Sequence, residues 1–456
     1  MEQTLIWIAA VILFLAVFVP YFIAFRKSQR ADARRKEEAK ALGIDRPRAQ
    51  YPLIDRSLCI GCGSCVAACP EGDVLGVVWG RAQVINGERC VGHGFCEGVC
   101  PVGAIKIGLG DITSRPDIPI LTEKNETTVS GLFIAGELGG LSLIRHAITQ
   151  GRMVADEIAG RCVVAGTSSR PERDDLYDVV IVGAGPAGLS AALTSVKHKL
   201  NYLVLEERDV GGTILHYPRR KLVMTQPVEL PLHGWLKEGE YSKERLLDIW
   251  KTTTEKFHVK LRTGERVETV RKTGDTFDIT TSHGAYAARF VVLAMGRRGT
   301  PRKLDVPGED LSKVMYQLID AQSYSAAKLL VVGGGDSAVE AAVGLARQPA
   351  NEVTISYRKS GFYKVKKKNE EAITRLIQER KIAPIFDSQV VEIRPESAVL
   401  KTKEELREIA NDYVIVQIGG VPPFEMLQKM GIVFGGNART VEQADRMLRI
   451  ESKIPV

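Results

Sequence analysis

Seven of the eight cysteines fall within one 42-residue window, and only Cys162 lies outside it. The first four read Cys59-x2-Cys62-x2-Cys65-x3-Cys69-Pro70, and the same offsets return as Cys90, His93, Cys96 and Cys100-Pro101. Such a run is typical of iron–sulfur ligation, in which three close thiolates bind one cluster and the fourth reaches a second. Zinc sites use paired Cys-x2-Cys units separated by a longer stretch, and a disulfide framework suits an exported domain. We therefore favour iron–sulfur clusters over zinc or structural thiols.

His93 stands where the repeat would place its second cysteine. As a ligand, its neutral imidazole would raise the reduction potential of the second cluster, as imidazole ligands do in Rieske centres. Alternatively, His93 points to solvent, and the second site holds a three-iron cluster or a fourth ligand from outside the chain. The sequence leaves both interpretations open.

A dinucleotide-binding pattern follows at Asp178–Ser190, which reads DVVIVGAGPAGLS. An apolar run precedes Gly183, Gly185 and Gly188, and a second predicted strand ends at Glu206, 18 residues after Gly188. The glycines permit a tight turn and a close approach of pyrophosphate to a helix N-terminus, and the acid can accept a ribose hydroxyl. Gly211-Gly212 follow directly.

A second pattern of this kind occupies Lys328–Ala342, with Gly333, Gly335 and Ala338 at the three motif positions. Its next predicted strand, Glu352–Tyr357, runs into Arg358 and Lys359 instead of an acid. A cationic pair at this place suits a 2′-phosphate, so we favour NADPH over NADH. We interpret Lys364, Lys366, Lys367 and Lys368 as a solvated face, with Lys364 the first exception to consider.

An uncharged run of 22 residues, 4–25, begins near the N-terminus. At 1.5 Å per residue a helix of this length spans about 33 Å, enough to cross a bilayer. The alternative, a cleaved signal peptide, would need a positively charged start and a shorter apolar core. Arg26, Lys27, Arg30, Arg34, Arg35 and Lys36 follow the run. Because such flanks stay on the cytoplasmic side, we expect a single-pass protein of the cytoplasmic (inner) membrane, with its catalytic domains facing the cytoplasm.

The remaining composition is that of an ordinary folded chain. Of 456 residues, 45% are hydrophobic and 26% charged, which excludes a disordered or collagen-like protein. The net charge of +7 is a mild excess for this length, so nucleic acid is not an expected partner.

The segment from about Tyr51 to Leu109 resembles a bacterial two-cluster ferredoxin domain with an internal repeat. The resemblance implies the two ligand sets residue by residue. One cluster would be held by Cys59, Cys62, Cys65 and Cys100, and the other by Cys90, Cys96, Cys69 and, where it ligates, His93. Both would be 4Fe-4S clusters, and the second is the one that His93 puts in question.

The two glycine motifs, with the first unit interrupted by the second, resemble the thioredoxin-reductase-like branch of the flavin-dependent pyridine nucleotide oxidoreductases, over roughly residues 177–435. The resemblance implies FAD at the first motif and NAD(P)H at the second. It also implies two strand-and-glycine segments that recross the flavin domain, Val291–Gly296 and Asn411–Pro422. Thioredoxin reductases carry a Cys-x-x-Cys pair, whereas no cysteine follows Cys162 here. A dithiol reductase is therefore disfavoured.

The closing segment of that family, a strand, an Ala-Gly-acid turn and a helix, is missing after Gly436. Residues 128–158 contain such a pattern instead, with a strand over Gly131–Ala135 and the turn Gly136-Glu137. We interpret this as a circular permutation, which folded domains permit because their termini often lie close together. The alternative is a separate strand–helix connector with an incidental glycine turn.

Together these features predict an α/β protein with two Rossmann-like dinucleotide-binding domains, a small α+β two-cluster ferredoxin domain and one transmembrane helix. The expected segments are a transmembrane helix (4–25), a charged linker (26–50), the ferredoxin-like domain (51–110), the permuted closing segment (116–165), the FAD domain (177–305), the NAD(P) domain (320–408) and a return to the FAD domain (409–456).

The predicted function is a membrane-anchored oxidoreductase that transfers electrons between NADPH, FAD, the clusters and an unidentified electron-transfer protein or membrane redox partner. One alternative is a flavin reductase of a disulfide or small substrate that is fed by the clusters. Another is a relay or sensor subunit without turnover. Dimers are common in the family that the chain resembles, so a homodimer is a further expectation. No catalytic side chain is predicted, since in flavin enzymes the cofactors carry the chemistry.

Overall fold

A computed structural model describes residues 2–45, 50–109, 116–140, 143–164, 176–217, 222–224, 227–237, 240–297, 299–363 and 365–435. The chain divides into two compact units. The described residues of 2–109, together with Lys366–Lys368, form the N-terminal unit, and the other described residues of 116–435 form the C-terminal unit.

The N-terminal unit begins with a 40-residue helix, α1 (Glu2–Ala41). Large apolar side chains of its first half, such as Trp7 and Phe14, are exposed. This part of α1 is long and apolar enough to cross a membrane, a property that signal sequences near an N-terminus share. The membrane-spanning helix was predicted at residues 4–25, and the structure continues the same helix for another four turns.

The second half of α1 packs against the rest of its own unit. Asp32 Oδ2 accepts the backbone N–H of Val77 at 2.8 Å, and Arg35 donates to Asp73 Oδ1 at 2.8 Å. Ala39 is buried, as is Ile44, whose carbonyl accepts the N–H of Glu88. The charged segment after the apolar run is therefore more than a spacer, because it makes specific contacts with the cysteine-rich domain.

The cysteine-rich part is built from two small antiparallel pairs and two one-turn helices. The strands are β1 (Gln50–Ile54), β2 (Leu75–Val78), β3 (Arg81–Val84) and β4 (Ile105–Leu109), and the helices are α2 (Ser64–Ala67) and α3 (Phe95–Gly98). β1 pairs with β4, and β2 pairs with β3. Cys59, Cys65 and Cys96 belong to its buried cluster, which also contains Leu75 and Ile105. The thiols thus supply much of the interior of this small domain.

The remaining elements follow in chain order. The helices are α4 (Ile144–Val164), α5 (Pro186–Lys197), α6 (Lys243–Lys256), α7 (Asp336–Ala346), α8 (Lys367–Gln378) and α9 (Phe424–Lys429). The strands are β5 (Leu132–Ile134), β6 (Leu176–Val182), β7 (Tyr202–Leu205), β8 (Leu222–Met224), β9 (Val228–Leu230), β10 (Gly234–Leu236), β11 (Glu240–Ser242), β12 (Leu261–Arg262), β13 (Val267–Thr273), β14 (Thr276–Thr281), β15 (Ala285–Leu293), β16 (Thr300–Pro301), β17 (Val314–Met315), β18 (Lys328–Val332), β19 (Glu352–Ser356), β20 (Ile382–Ile385), β21 (Gln389–Ile393), β22 (Ser397–Lys401), β23 (Leu406–Ala410), β24 (Tyr413–Val416) and β25 (Gly420–Val421).

The first sheet of the C-terminal unit contains seven described strands in the order β12-β7-β6-β15-β14-β13, with β5 also paired to β15. β12, β7, β6, β15 and β5 run parallel. β6 and β7 are nearly continuous apolar runs, as expected of strands covered on both faces. β13 and β14 extend the sheet as an antiparallel meander.

β5 brings the segment before the first glycine motif into this sheet. Leu132, Phe133 and Ile134 pair in parallel with Val291–Leu293 of β15. α4 follows β5 and packs against α5 so closely that a Cβ on Gly151 would lie 2.1 Å from the carbonyl oxygen of Ala187. β5 and α4 are therefore an integral strand and helix of the first nucleotide-binding fold.

The second sheet contains five described strands, all parallel, in the order β17-β24-β18-β19-β20. β24 lies between β17 and β18, although the sequence placed a return to the first domain at residue 409 and interpreted Asn411–Pro422 as one of its recrossing segments. The local pattern of β24 is that of any buried parallel strand, so it does not reveal which sheet the strand joins. The chain returns to the first domain only after Val416, where Leu427, Ile432 and Phe434 enter its core.

Among the described residues, four small antiparallel sheets also belong to the C-terminal unit. β21, β22 and β23 form a three-stranded sheet. β8 pairs with β11, β9 with β10, and β16 with β25. Residues 165–175, and residues 436–456 at the end of the predicted return to the FAD domain, lie outside the described residues.

Candidate functional site

Four cysteines surround one pocket in the N-terminal unit. The pocket contains about 340 Å³ of empty space, and its lining includes Cys59, Cys62, Cys65 and Cys100. Three of these residues come from the first half of the repeat and the fourth from the second half. This is the first ligand set that the ferredoxin resemblance implied, and four convergent thiols fit an iron–sulfur cluster.

The surroundings of this pocket affect its thiols in opposite directions. The backbone N–H of Ala82 donates to Cys59 Sγ at 3.3 Å, and that of Ala104 donates to Cys100 Sγ at 3.2 Å. The hydrogen bond with Ser64 lowers the pKa of Cys62. Burial raises the pKa of Cys65, and the neighbouring Cys59 adds to the rise. Amide donors to sulfur are among the features by which proteins tune the potential of a cluster.

The two halves of the repeat share one backbone design. Gly61 and Gly63 have φ of +70° and +78°, and Gly92 and Gly94 have φ of +73° and +81°. These left-handed residues favour glycine, and each second glycine is the N-cap of a one-turn helix, α2 or α3. The repeated fold therefore presents Cys62 and His93 from matching loops.

A second group of thiols consists of Cys69, Cys90 and Cys96. Burial raises the pKa of Cys90 to about 11, with Cys69 and Glu71 adding to the rise. Burial also raises the pKa of Cys96 to about 11, again with contributions from Cys69 and Cys90. Without a metal, these buried neighbouring thiols resist ionisation. Bound iron is cationic and would lower their pKa, so that they could ligate it as thiolates. This grouping matches the second ligand set.

His93 contacts the acidic side chain of Glu71, which lies beside this group of thiols. Its Nε2 lies 3.3 Å from Oε1 of Glu71, and only 7% of Glu71 is exposed. Burial raises the pKa of Glu71, but its hydrogen bond with His93 and other favourable interactions outweigh burial and lower the pKa overall.

Within the described ranges, no three His, Cys, Asp or Glu side chains are arranged for a single metal ion.

The three motif glycines of the first loop have three different steric roles. Gly183 has φ of +106°, and a Cβ on Gly188 would lie 1.8 Å from the carbonyl oxygen of Gly183. A Cβ on Gly185 would meet nothing nearer than Gly212 Cα at 3.7 Å. The turn, the open position and the tight strand–helix contact are the features that admit a pyrophosphate at the start of α5.

Glu206 and the Gly211-Gly212 pair lie against this loop. Glu206 Oε2 accepts the N–H of Ala184 at 2.6 Å, and Gly211 donates its N–H to the carbonyl oxygen of Ala184 at 2.9 Å. The acid predicted to accept a ribose hydroxyl therefore stands at the carboxyl end of β7, beside the loop. Three further residues named from the sequence, Glu206, Gly211 and Gly212, converge here with the motif glycines.

The turn after β5 reaches the same end of the sheet. Gly136 has φ of +89°, donates its N–H to Gln150 Oε1 at 2.8 Å, and approaches Ala187 of α5. Burial raises the pKa of Glu137, although the Arg297 side chain and backbone N–H oppose the rise. Arg297 follows Gly296 at the end of β15 and donates to Asp117 Oδ2 at 2.7 Å.

The second glycine loop repeats the steric pattern. Gly333 has φ of +139°, and its Cβ would lie 2.3 Å from the carbonyl oxygen of Gln417. A Cβ on Gly335 would meet nothing within 4 Å. Ala338, at the third position, is buried in α7, where its Cβ lies 3.0 Å from the position a Gly333 Cβ would take.

The predicted cations lie at the carboxyl end of β19. Gly333 donates its N–H to the carbonyl oxygen of Ser356, two residues before Arg358. Arg358 is exposed and Lys359 is half-buried. Lys364 lies outside the described residues.

Sequence reasoning missed Glu71 and Arg297. Glu71 directly follows Cys69-Pro70, whereas Val102 follows Cys100-Pro101 at the equivalent place. An acid in only one half of the repeat was a signal that comparison of the halves would have found. Arg297 follows Gly296 with no distinctive spacing, so only the fold brings it to Glu137.

Two families match the chain in separate regions. Residues 180–447 match the family described as pyridine nucleotide-disulphide oxidoreductase, and residues 51–101 match a 4Fe-4S dicluster domain. A ferredoxin–NADP reductase of Ignicoccus hospitalis is 29% identical over 59% of this chain and 86% of its own length. A thioredoxin reductase of Treponema pallidum is 32% identical over 54% of this chain and 77% of its own length.

Solved structures agree with these matches. The bacillithiol disulfide reductase Bdr (YpdA) of Staphylococcus aureus is 30% identical, with a TM-score of 0.52, over 56% of this chain and 80% of that one. Its Bacillus cereus counterpart is 28% identical, with a TM-score of 0.53, over 56% of this chain and 82% of that one. The predicted fold class, thioredoxin-reductase-like dinucleotide-binding domains with a small ferredoxin-like domain, is confirmed.

Proposed function

Because this chain belongs to the pyridine nucleotide-disulphide oxidoreductase family, we propose that it passes electrons between NADPH, FAD, two 4Fe-4S clusters and a redox partner at a membrane. It is an FAD-dependent NAD(P)H oxidoreductase with an iron–sulfur domain, and the finer assignments are the proposal. The observation that carries it is the presence, in one chain, of a four-thiol pocket and two glycine loops with open central positions.

The chain's own residues bind and orient the groups. The backbone N–H groups at the start of α5 and α7 would donate hydrogen bonds to the pyrophosphates of FAD and the nicotinamide nucleotide, beside the open positions at Gly185 and Gly335. When bound, FAD exchanges a hydride with the nicotinamide and single electrons with iron–sulfur centres, which links two-electron to one-electron chemistry.

The permuted closing segment is part of this proposal. Residues 118–120 pair with residues 433–435, since Ile120 donates its N–H to Val433 and Gly435 donates its N–H to Ile118. Thr128 Oγ1 accepts the N–H of Val433 at 3.1 Å. Segments more than 300 residues apart thus lie side by side, as a permutation that joins them requires. We propose that Gly136 and Glu137 close the FAD site.

Membrane anchoring is supported by the continuity of α1. The helix runs without a break from its exposed apolar half into the half that Asp32 and Arg35 fix to the N-terminal unit. From Phe25 to Asp32 the rise is about 10 Å at 1.5 Å per residue. A membrane-spanning apolar half would therefore hold the thiol pockets near the membrane surface. We propose the cytoplasmic face, because of the cationic flank.

An anaerobic titration tests the electron path. The full chain, purified in detergent without oxygen, is assayed for iron and flavin and then titrated with NADPH or NADH while flavin absorbance and cluster EPR signals are recorded. We expect one FAD, about eight irons, and cluster signals at NADPH concentrations at which NADH has no effect. Flavin bleaching by NADPH with clusters that stay oxidised, and no acceptor reduced, would contradict the proposal.

A reductase of a small disulfide is the second candidate. The likeness to bacillithiol disulfide reductases, at 30% identity over 80% of the solved chain, favours it. No cysteine of this chain follows Cys162, so such a substrate would react at the flavin itself. NADPH-dependent thiol release from added bacillithiol disulfide, in variants that lack the cluster cysteines, would establish this function instead.

A further inference from the structure

The two halves of the cysteine repeat differ at a matched pair of positions. Cys62 in the first half corresponds to His93 in the second, and each lies between two left-handed glycines. Two residues after the last cysteine of each half, Glu71 corresponds to Val102. The first cluster pocket is lined by Cys62 and Val102 together. The second site pairs their counterparts, since His93 is hydrogen-bonded to Glu71.

This contact indicates which ring nitrogen would ligate iron. His93 Nε2 lies 3.3 Å from Glu71 Oε1 and, beside a carboxylate, carries the proton. A nitrogen that holds a proton for a carboxylate has no lone pair for a metal, so ligation by His93 would use Nδ1. Histidines that bind metals commonly donate their other N–H to a carboxylate, which fixes the tautomer and the ring orientation.

We propose that Glu71 is a positioning residue that presents His93 Nδ1 to the second cluster, which is then held by Cys69, Cys90, Cys96 and one imidazole. This inference rests on the proposed iron–sulfur assignment and adds the ligand and its orientation. A buried carboxylate beside thiols is costly unless it is paired. The imidazole N–H provides part of that pairing, and the backbone N–H of Lys367 donates to Glu71 Oε2 at 3.2 Å. The first half needs no acid, because a thiolate has no tautomer to select.

The test converts the second half into a copy of the first. His93→Cys, Glu71→Val and the double variant are prepared as full chains, purified anaerobically, and analysed for iron content, cluster potential and nitrogen hyperfine coupling by pulsed EPR. Asp73→Asn removes another acid of the same unit, one that pairs with Arg35 and not with His93, and serves as the control.

We expect imidazole coupling in the wild type and in Asp73→Asn. Glu71→Val should lose or alter this coupling, and His93→Cys should abolish it while it keeps the iron and lowers the potential of the second cluster. In the His93→Cys background, the Glu71→Val change should move the potential less than it does in the wild type, because only the charge of the carboxylate is then lost. Recovery of iron by the double variant, where Glu71→Val alone has lost some, would support the same conclusion.

Four results would overturn the inference. Absence of nitrogen coupling in a wild type that contains both clusters would make His93 a bystander. An equal shift of potential by Glu71→Val in both backgrounds would show that Glu71 acts through its own charge. Iron at the first site alone would reject the second site and leave the proposed function standing, whereas absence of iron at both sites would reject both.

Discussion

The carboxylate of Asp32 in α1 accepts the backbone N–H of Val77 in β2 at 2.8 Å, so the helix that carries the apolar N-terminal half is joined to the domain that carries the cysteines. Asp32 is itself buried, and Arg35 of the next turn pairs with both Asp32 and Asp73. The contact is directional, because it pairs one side-chain oxygen with one strand amide.

Asp32→Ala should release this part of α1 from the N-terminal unit. A hydrogen bond to a charged group contributes about 1.5–3 kcal/mol, and the amide of Val77 would lose its partner. Hydrogen exchange should accelerate at Val77 and along the second half of α1. Glu38→Ala, at an exposed position of the same helix, is the control. Unchanged protection at Val77 in Asp32→Ala would mean that the apolar contacts of Ala39 and Ile44 suffice.

The cross-over of ligands between the halves of the repeat gives a second prediction. Cys100→Ser should lose the same cluster as Cys59→Ser, because both side chains line one pocket, whereas Cys69→Ser should lose the other cluster. Iron content and EPR of the reduced chain measure this, with about half of the iron lost in each variant. Cys162→Ser is the control, since Cys162 is buried in α4 of the C-terminal unit. Loss of the same signal in Cys100→Ser and Cys96→Ser would contradict the cross-over.

Glycine substitutions separate fold from cofactor binding. Gly188→Ala places a Cβ 1.8 Å from a backbone carbonyl and should destabilise the C-terminal unit by about 4 kcal/mol or more. Gly185→Ala has room to fold, but its methyl group would occupy the approach of the pyrophosphate. We expect normal circular dichroism and an FAD dissociation constant at least about tenfold higher, equivalent to 1.4 kcal/mol.

The second loop provides the parallel case. Gly335→Ala meets no neighbour within 4 Å, so it should retain FAD and raise KM for NADPH. Gly284→Ala, in an exposed turn with open space around it, is the control for both loops. FAD loss in Gly335→Ala with an unchanged KM would reverse the assignment of the two loops.

Coenzyme choice is predicted to depend on Arg358 and Lys359, which follow β19. Replacing both by alanine should raise KM for NADPH about 10- to 100-fold, because charge-assisted contacts with a phosphate are lost. KM for NADH should stay almost unchanged. Steady-state kinetics with a common acceptor measures the ratio. Lys401→Ala, exposed on β22, controls for net charge. Equal changes for both coenzymes would remove these residues from the 2′-phosphate site.

The sequence alone predicts the features that depend on local spacing. The cysteine offsets, the glycine motifs and the apolar strands before them each lie within about a dozen residues, and their steric roles follow from backbone geometry. The pairing of β5 with β15 could also be predicted. The segment around Gly136 and Glu137 has the strand, turn and helix that are missing from the C-terminal part of the flavin domain.

Contacts between distant segments were not predictable in this way. Nothing near Asp32 indicates that a strand amide 45 residues later is its partner, and β24 resembles a strand of either sheet. Glu71 differs from its counterpart in the other half of the repeat, but its contact with His93, 22 residues on, depends on the fold. Each of these requires the tertiary packing of two elements whose local patterns fit several partners.

The last prediction concerns pH and His146, near the start of α4. Burial lowers the pKa of His146 to about 4, and Arg145 adds to the effect. Its Nδ1 is buried and has no hydrogen-bond partner among the residues that the structure describes. An unfolded histidine has a pKa near about 6.5. Between these values only the unfolded chain takes up the proton, so this residue makes the C-terminal unit less stable as pH falls through that range.

His146→Asn should therefore reduce the loss of Tm between about pH 7 and about pH 5, because asparagine takes up no proton in either state. Tm is measured by circular dichroism on each variant at both pH values, so that acid effects on the clusters are common to all. His283→Asn, at an exposed turn, is the control and should follow the wild type. An equal fall in Tm for His146→Asn and the wild type would show that His146 accepts a proton as readily in the folded protein as in the unfolded chain.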